Sequence, residues 1–177
     1  MALISFIIPT RNEEANIGNL LDSIRSYAQG LAYELIVVDN FSSDSTLSKL
    51  SSSEVNVYVS SGSVGHLRNI GAENARGDIF IFLDADMVLT HDWEEEVQNV
   101  LLELQNDPLV VTGSVADISD ECNWIESHWF KSRVGKDRVE YMNSGHMVIT
   151  QALFRRIGGF DDNLTSGEDV ELCQRAK

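Results

Sequence analysis

The sequence predicts an α/β fold in which a mostly parallel central sheet carries helices on both of its faces. Short apolar runs that are typical of buried strands alternate along the chain with stretches whose apolar residues recur at helical spacing. Polar side chains follow several of these runs directly, at the strand ends where open α/β sheets bind their ligands. The length of 177 residues fits one domain, which we place at residues 1–177.

The predicted strands are short apolar runs. Residues 35–38 are apolar throughout, as expected of a parallel strand that is buried on both faces. Residues 55–59 alternate strictly, with the period of a β-strand. The complete set of predicted strands is residues 3–8, 35–38, 55–59, 79–83, 109–115 and 146–150.

The predicted helices follow from apolar residues that recur at intervals of three and four. The first carries an apolar stripe from Ile17 to Ala28, and residues 42–46 supply N-cap chemistry for a short second helix. Thr90 is predicted to cap a helix that carries Trp93. Periodicity weakens over residues 117–143, where we expect a helix or a long loop. The other predicted helices are residues 65–75, residues 153–157 with Gly158 and Gly159 as a stop, and one that begins near Glu168.

Composition narrows the possible classes of function. The chain has 13 Lys and Arg against 28 Asp and Glu, a net charge of −15, so we expect no nucleic-acid partner. An anionic ligand would need a divalent cation between itself and the carboxylates. Cys122 and Cys173 lack metal-type spacing, which favours a reduced, cytoplasmic protein over a disulfide. No run approaches the roughly 20 apolar residues that span a membrane.

The pair formed by Asp84 and Asp86 is the sharpest local signal in the chain. The two aspartates follow a predicted buried strand with one residue between them, so both carboxylates can face a crevice and share a hard cation. Oxygen ligands of this kind suit Mn²⁺ or Mg²⁺, which keep positions open for substrate phosphates. A solvated turn is the alternative interpretation.

Other polar residues near strand ends each allow a functional and a structural interpretation. Asp39 can accept a hydrogen bond from a ribose hydroxyl or a base N–H, or it can form an Asx-turn or a helix cap; Asp44 favours the cap. Arg68 can neutralise a diphosphate or contact a base, or it can be a surface arginine. Glu168 and Asp169 can complement the dipole of the helix that they begin, or one of them can be a general base.

Three other kinds of site are not expected. The 4 histidines lack the paired spacing of a zinc site. Gly65 and Gly71 match neither a P-loop nor the dinucleotide fingerprint. No Gly-x-Ser-x-Gly sequence is present, so the nucleophile elbow of serine hydrolases is missing.

Four stretches, in their order along the chain, resemble the inverting GT-A-fold glycosyltransferases of family 2. The resemblance implies a Rossmann-like GT-A fold and the transfer of a sugar, with inversion, from a nucleotide-diphosphate donor to an acceptor hydroxyl. UDP-sugars are the preferred expectation for the donor. The stretches are Ile-Ile-Pro-Thr-Arg-Asn-Glu-Glu at residues 7–14, Leu-Ile-Val-Val-Asp-Asn-Phe-Ser-Ser-Asp-Ser-Thr at 35–46, Ile-Phe-Ile-Phe-Leu-Asp-Ala-Asp at 79–86, and Gly-Gly-Phe-Asp at 158–161 with Gly-Glu-Asp-Val-Glu-Leu at 167–172.

The resemblance also implies a role for each matching residue. Asp86 would be the principal ligand of Mn²⁺ or Mg²⁺, with Asp84 beside it near the ribose. Asp169, with Glu168 next to it, would be the general base that activates the acceptor hydroxyl. The residues that would bind the nucleotide-sugar, including Asp39 on the base, are Pro9, Thr10, Asn12, Glu13, Asp39, Arg68 and Asp84.

The end of the chain departs from the family pattern. The chain stops shortly after Glu168 and Asp169, whereas the resembling family usually continues with further strands, helices and often a membrane-associated tail. We therefore expect a domain that lacks its C-terminal part and would contact a membrane only through that part. The resemblance leaves the acceptor open among carbohydrate, lipid and protein.

Two alternative functions stay open. A sugar nucleotidyltransferase shares the α/β layout, but it should carry a Gly-rich, basic segment directly after the first strand, where Pro-Thr-Arg-Asn-Glu-Glu stands instead. A domain without activity could bind a nucleotide-sugar or act as a scaffold for a partner. The intact pairs Asp84 with Asp86 and Glu168 with Asp169 argue against the second alternative.

Overall fold

A computed structural model describes residues 2–51, 54–107 and 142–177. Strands and helices alternate along most of the described chain. The strands are β1 (Ile4–Thr10), β2 (Tyr33–Asp39), β3 (Asn56–Val59), β4 (Ile79–Leu83) and β5 (His146–Thr150). The helices are α1 (Ile17–Tyr27), α2 (Thr46–Leu50), α3 (Val64–Asn74), α4 (Trp93–Asn106), α5 (Gln151–Ile157) and α6 (Glu168–Ala176).

The described strands form one sheet in the order β3-β2-β1-β4-β5. β1 pairs in parallel with β2 and β4, and β2 with β3, whereas β5 runs antiparallel to β4. The predicted mostly parallel sheet is therefore confirmed. The chain runs outward from β1 to β3 and then places β4 on the other side of β1. The strand order reverses there, and such a switch point is where open α/β sheets bind ligands.

Helices cover both faces of the sheet, as predicted. α1, α2 and α4 pack on one face, and α3, α5 and α6 pack on the other. In β1, Phe6 and Ile8 belong to the first core and Ile7 to the second, because successive side chains of a strand point to opposite faces. Burial on both faces explains why this strand is apolar almost throughout.

The predicted elements that fall on described residues are confirmed, with differences at their ends. The cap predicted at Thr90 is wrong, because α4 begins at Trp93 with Asp92 in the N-cap position. Trp93 N–H donates to the Thr90 carbonyl at 3.1 Å, so Thr90 closes a turn that precedes the helix. The strand predicted at residues 109–115, and residues 117–141 of the helix or loop, lie outside the described residues. No helix in the described ranges is both long and apolar enough to cross a membrane.

Helix α3 approaches the sheet closely because it has a glycine at the contact. A Cβ atom added at Gly71 would lie 2.4 Å from Ile7 Cγ2, inside the second core. We expect Gly71→Ala to reduce the free energy of unfolding by about 1–3 kcal/mol, the usual cost of overpacking a core. The quantity is measured by urea denaturation.

The matched control for this variant is Gly18→Ala in helix α1. No atom lies within 4 Å of a Cβ added at Gly18, so alanine should stabilise the helix by up to about 1 kcal/mol. Equal effects of the two substitutions would contradict the close approach at Gly71.

Candidate functional site

The polar residues predicted at strand ends lie along one edge of the sheet. Thr10 at the end of β1 pairs with Asp39 at the end of β2, and Asp84 follows β4 on the other side of β1. Neighbouring strands are about 4.8 Å apart, so these ends are close together. The antiparallel β5 starts at the same edge, where Asp84 N–H donates to the Gly145 carbonyl at 3.2 Å. We call this place, at the switch point of the strand order, the carboxyl edge.

Hydrogen bonds join the loops that follow β1 and β2. Asn12 N–H donates to Ser42 Oγ at 2.8 Å, and Asn12 Oδ1 accepts from Ser43 N–H at 2.8 Å. Glu13 N–H donates to Thr46 Oγ1 at 2.8 Å. Asn12 adopts a φ of 56°, a left-handed conformation that asparagine tolerates better than most residues. The two loops therefore form one connected wall of the carboxyl edge.

Asp39 is fully buried at the base of this wall. Its Oδ2 accepts from Ser42 N–H at 2.8 Å and its Oδ1 accepts from Ser42 Oγ at 2.5 Å. These bonds reach a residue three positions later, whereas an Asx-turn bonds the residue two positions later, so they give Asp39 a local structural role of a different kind. The contact with a base stays a prediction. Asp44 accepts from Thr46 N–H, two residues later, at 2.9 Å, which is the bond of an Asx-turn; the N-cap position of α2 is Ser45, so the interpretation of Asp44 as the cap is wrong.

The other residues expected beside a nucleoside differ in their accessibility. Thr10 is buried, and its hydroxyl oxygen has no hydrogen-bond partner within the described residues. Pro9 lies inside β1 opposite Val38. Glu13 is half-buried, and its carboxylate accepts from Asn16 Nδ2 at 2.8 Å. Among these residues, Thr10 therefore has the buried polar group that makes no hydrogen bond within the described residues.

Arg68 of α3 links two of the predicted acidic positions. One of its terminal nitrogens donates to Asp84 Oδ1 at 2.7 Å and the other donates to Glu168 Oε1 at 2.8 Å. Arg68 is only 2% exposed, so the surface-arginine interpretation is wrong. Its guanidinium also lies 5.6 Å from the centroid of the Phe160 ring. Residues from β4, α3 and α6 thus meet in one buried ion-pair network, which we call the Arg68 network.

A glycine at the start of α3 brings α6 within reach of Arg68. A Cβ atom added at Gly65 would lie 3.1 Å from Phe160 Cβ and 3.6 Å from Glu168 Cβ. Gly65 and Gly71, which match no phosphate-binding motif, therefore allow close packing on two sides of α3: Gly65 against Phe160 and Gly71 against Ile7. The role of Gly65 could not be derived from its spacing, because its neighbours come from a segment nearly one hundred residues later.

Side chains of α3 also hold the loop that leads into α6. Asn69 Nδ2 donates to the Phe160 carbonyl at 2.8 Å, and Asn69 Oδ1 accepts from Phe160 N–H at 2.9 Å. His66 Nδ1 lies 2.8 Å from Asp162 Oδ2. Ser144 Oγ donates to Glu168 Oε1 at 3.3 Å. Sequence reasoning missed these positioning residues, since no motif marks a polar side chain that contacts a segment distant in the sequence.

Glu168 and Asp169 have different surroundings although they are adjacent. Glu168 is 7% exposed and belongs to the Arg68 network. Asp169 is half-buried, and its Oδ1 accepts from Val170 N–H at 2.8 Å. Both carboxylates lie in the first turn of α6, where the helix dipole favours negative charge. Only Glu168 is thus seen to contact the network, and the catalytic role of Asp169 stays a prediction.

Asp84 and Asp86 offer a small, open set of oxygen ligands. The Asp84 side chain is 43% exposed and one of its oxygens is bound by Arg68, whereas Asp86 is exposed. The described residues contain no group of three or more His, Cys, Asp and Glu that could hold a metal ion. Mg²⁺ typically binds one or two carboxylates, several waters and substrate phosphates. The two aspartates therefore fit a cation shared with a diphosphate, and they do not fit a closed protein site.

Comparisons with known proteins point to one family. Residues 5–157 match the family model described as "Glycosyl transferase family 2". The pre-mycofactocin glycosyltransferase of Mycobacterium tuberculosis is 29% identical over an alignment of 190 positions, which covers 97% of this chain and 38% of that protein. The chain thus spans less than half the length of this relative. Glu168 and Asp169 lie beyond the residues that the family model matches.

Solved structures share the fold. Staphylococcus aureus TarS in complex with UDP has a TM-score of 0.71 and 23% identity, with 98% of this chain and 54% of that chain covered. The mannosyltransferase PcManGT of Pyrobaculum calidifontis, in complex with GDP-Man and Mn²⁺, has a TM-score of 0.75 and 19% identity, with 98% and 51% covered. The predicted Rossmann-like GT-A fold is confirmed by this similarity.

Proposed function

Because the chain belongs to glycosyl transferase family 2, we propose that it transfers a sugar from a nucleotide-diphosphate donor to an acceptor hydroxyl. This proposal rests on the Arg68 network at the switch point. There Arg68 joins Asp84, which follows β4, to Glu168, the first residue of α6. The similar TarS structure contains UDP and the similar PcManGT structure contains GDP-Man. A UDP-sugar is the donor that we propose. The proposed acceptor is a hydroxyl group of a carbohydrate, a lipid or a protein.

The nucleoside half of the donor would lie against the joined loops after β1 and β2. The buried hydroxyl of Thr10 supports this placement, because it lacks a hydrogen-bond partner among the described residues and can take one from a ligand. Asn12 lies at the exposed rim of the same wall, where its backbone N–H and its side-chain oxygen bind Ser42 and Ser43, so its side-chain NH₂ group is the donor that remains for a ligand. The other residues proposed to bind the donor are Pro9, Glu13, Asp39, Arg68 and Asp84.

Asp86 would hold Mn²⁺ or Mg²⁺, with the free oxygen of Asp84 beside it. When bound, the cation would neutralise the negative charge that develops on the leaving nucleoside diphosphate. The net charge of −15 supports this role, since an anionic donor would otherwise be repelled. Arg68 would hold Asp84 in place through the bond to its Oδ1.

Asp169 would act as the general base. Its carboxylate would take the proton of the acceptor hydroxyl, whose oxygen then attacks the anomeric carbon from the face opposite the leaving diphosphate. The bond from the anomeric carbon to the diphosphate breaks in the same displacement, so the configuration inverts. Glu168 is less suited to this step, because it is 7% exposed and its Oε1 already accepts a hydrogen bond from Arg68 at 2.8 Å.

Calorimetry and a sugar-release assay test the proposal together. The chain is titrated with UDP and with GDP, with and without Mn²⁺, and nucleotide-sugars are screened for hydrolysis or transfer. We expect Mn²⁺-dependent binding of a nucleoside diphosphate and release of sugar from at least one donor. Binding without any release would favour the nucleotide-sugar-binding module, and absence of binding would contradict the proposal.

The aspartate pair makes a sharper prediction about the metal. Asp86→Asn should lower metal-dependent sugar release by about 100-fold or more, because the cation supplies several kcal/mol of transition-state stabilisation. Chelation with EDTA should have the same effect on the wild type, and added Mn²⁺ should restore only the wild type. Asp22→Asn, at an exposed acid on α1, is the control. A fully active Asp86→Asn variant would remove Asp86 from the metal site.

A further inference from the structure

Phe41 combines an exposed aromatic ring with an unusual backbone conformation. Its exposed fraction is 65%. Among the large apolar residues that are exposed in the described ranges, Phe41 is the one with an aromatic ring. Its φ is 49°, in the left-handed region where a Cβ atom is crowded against the backbone and glycine is favoured. Neither feature contributes to stability, so the position calls for another explanation.

Hydrogen bonds on both sides of Phe41 impose this conformation. Asn40 N–H donates to the Thr10 carbonyl at 2.8 Å, and Asn40 Nδ2 donates to the Gly62 carbonyl at 3.2 Å. After Phe41, Ser42 N–H donates to Asp39 Oδ2 at 2.8 Å. The backbone is therefore held at both neighbours, and the ring is kept at the carboxyl edge, in solvent. Strained residues that are fixed in this way cluster at ligand sites.

Phe41 is the exposed apolar group of the loop that follows β2. Asp39 is 0% exposed and both of its oxygens accept from Ser42, whereas Phe41, two residues later, is 65% exposed. Asn40 is half-buried and engaged with Gly62. The surface that this loop offers to a planar ligand is the ring of Phe41.

We propose that the ring of Phe41 is the platform on which the nucleobase of the donor stacks. This inference rests on the proposed function, since it assumes a nucleoside at the carboxyl edge. Every base has a π-face, so stacking on an aromatic side chain is favourable for uracil and guanine alike. Phe41 would therefore contribute to donor affinity, while polar groups would distinguish one base from another.

Substitution of Phe41 separates a binding role from a structural one. UDP and GDP are titrated with Mn²⁺ present into the wild type and the variants Phe41→Gly, Phe41→Ala and Phe41→Tyr. We expect the Gly and Ala variants to raise the Kd by roughly 5- to 150-fold, the loss that corresponds to one base–aromatic stack. Phe41→Tyr should keep the wild-type Kd, because it keeps the ring.

The melting temperature gives the second readout. Phe41→Gly removes the crowded Cβ atom and little buried area, so its Tm should stay within about 2 °C of the wild type or rise. Leu102→Ala, at an exposed apolar residue of α4, should change neither Kd nor Tm.

Three results would overturn the inference. An unchanged Kd in Phe41→Gly and Phe41→Ala would show that the ring serves another surface, such as a protein partner. A fall of several degrees in the Tm of Phe41→Gly would show that the ring packs structurally. Failure of the wild type to bind either nucleotide would overturn the proposed function as well, which distinguishes that case from the other two.

Discussion

Replacing Asp169 by asparagine is expected to lower kcat by about 100- to 10,000-fold, the contribution of a general base, while leaving donor binding largely intact. The amide cannot take the proton of the acceptor hydroxyl. It can still accept the hydrogen bond that Val170 N–H donates to Asp169 Oδ1, so the start of α6 should be preserved. The measurement is the rate of sugar transfer at saturating donor, together with the Kd of the nucleoside diphosphate.

Glu171→Gln is the matched control for this prediction. Glu171 lies on the same helix and pairs with Arg175 four residues later, a partly exposed pair of small energetic value. Its removal should leave kcat unchanged. Full activity of Asp169→Asn would exclude Asp169 as the base. If Glu168→Gln then lost kcat while it kept the stability of the wild type, the role of the base would belong to Glu168.

Replacing Arg68 by methionine is expected to reduce the free energy of unfolding by about 3–5 kcal/mol, the usual cost of leaving a buried charge without its partner. Methionine keeps much of the length of the side chain but cannot bond to Glu168, which is 7% exposed. Sugar transfer should fall as well, because Asp84 loses the bond that holds its Oδ1. Stability is measured by urea denaturation and activity by sugar release.

Two further variants separate the ion pair from the packing around it. The double variant Arg68→Met with Glu168→Gln should regain part of the lost stability, because the buried carboxylate becomes a neutral amide. Arg76→Met is the comparison, since the Arg76 side chain is 75% exposed although it also pairs with a buried acid, Glu34. Its loss should stay below about 1 kcal/mol. Similar losses in Arg68→Met and Arg76→Met would show that Glu168 is solvated.

Local patterns were sufficient to predict most of the fold. Apolar runs of strand length located β1, β2 and β4 to within a few residues, because burial on both faces of a parallel sheet demands apolar side chains on both. Helical spacing located α1 in the same way. Helix ends were predicted less well. The cap expected at Thr90 is two residues before the N-cap position of α4, because a turn that uses the Thr90 carbonyl comes first.

The sequence by itself therefore determined the α/β sheet, the family and the strand ends that carry Asp39, Asp84 and Asp86, since these follow from side-chain periodicity and from short motifs. Only the tertiary structure decided how the acidic residues are partnered. Arg68 and Glu168 are one hundred residues apart in the chain and meet because α3 and α6 pack on the same face of the sheet. The left-handed conformation of Phe41 likewise depends on hydrogen bonds between separate loops, which no local pattern encodes.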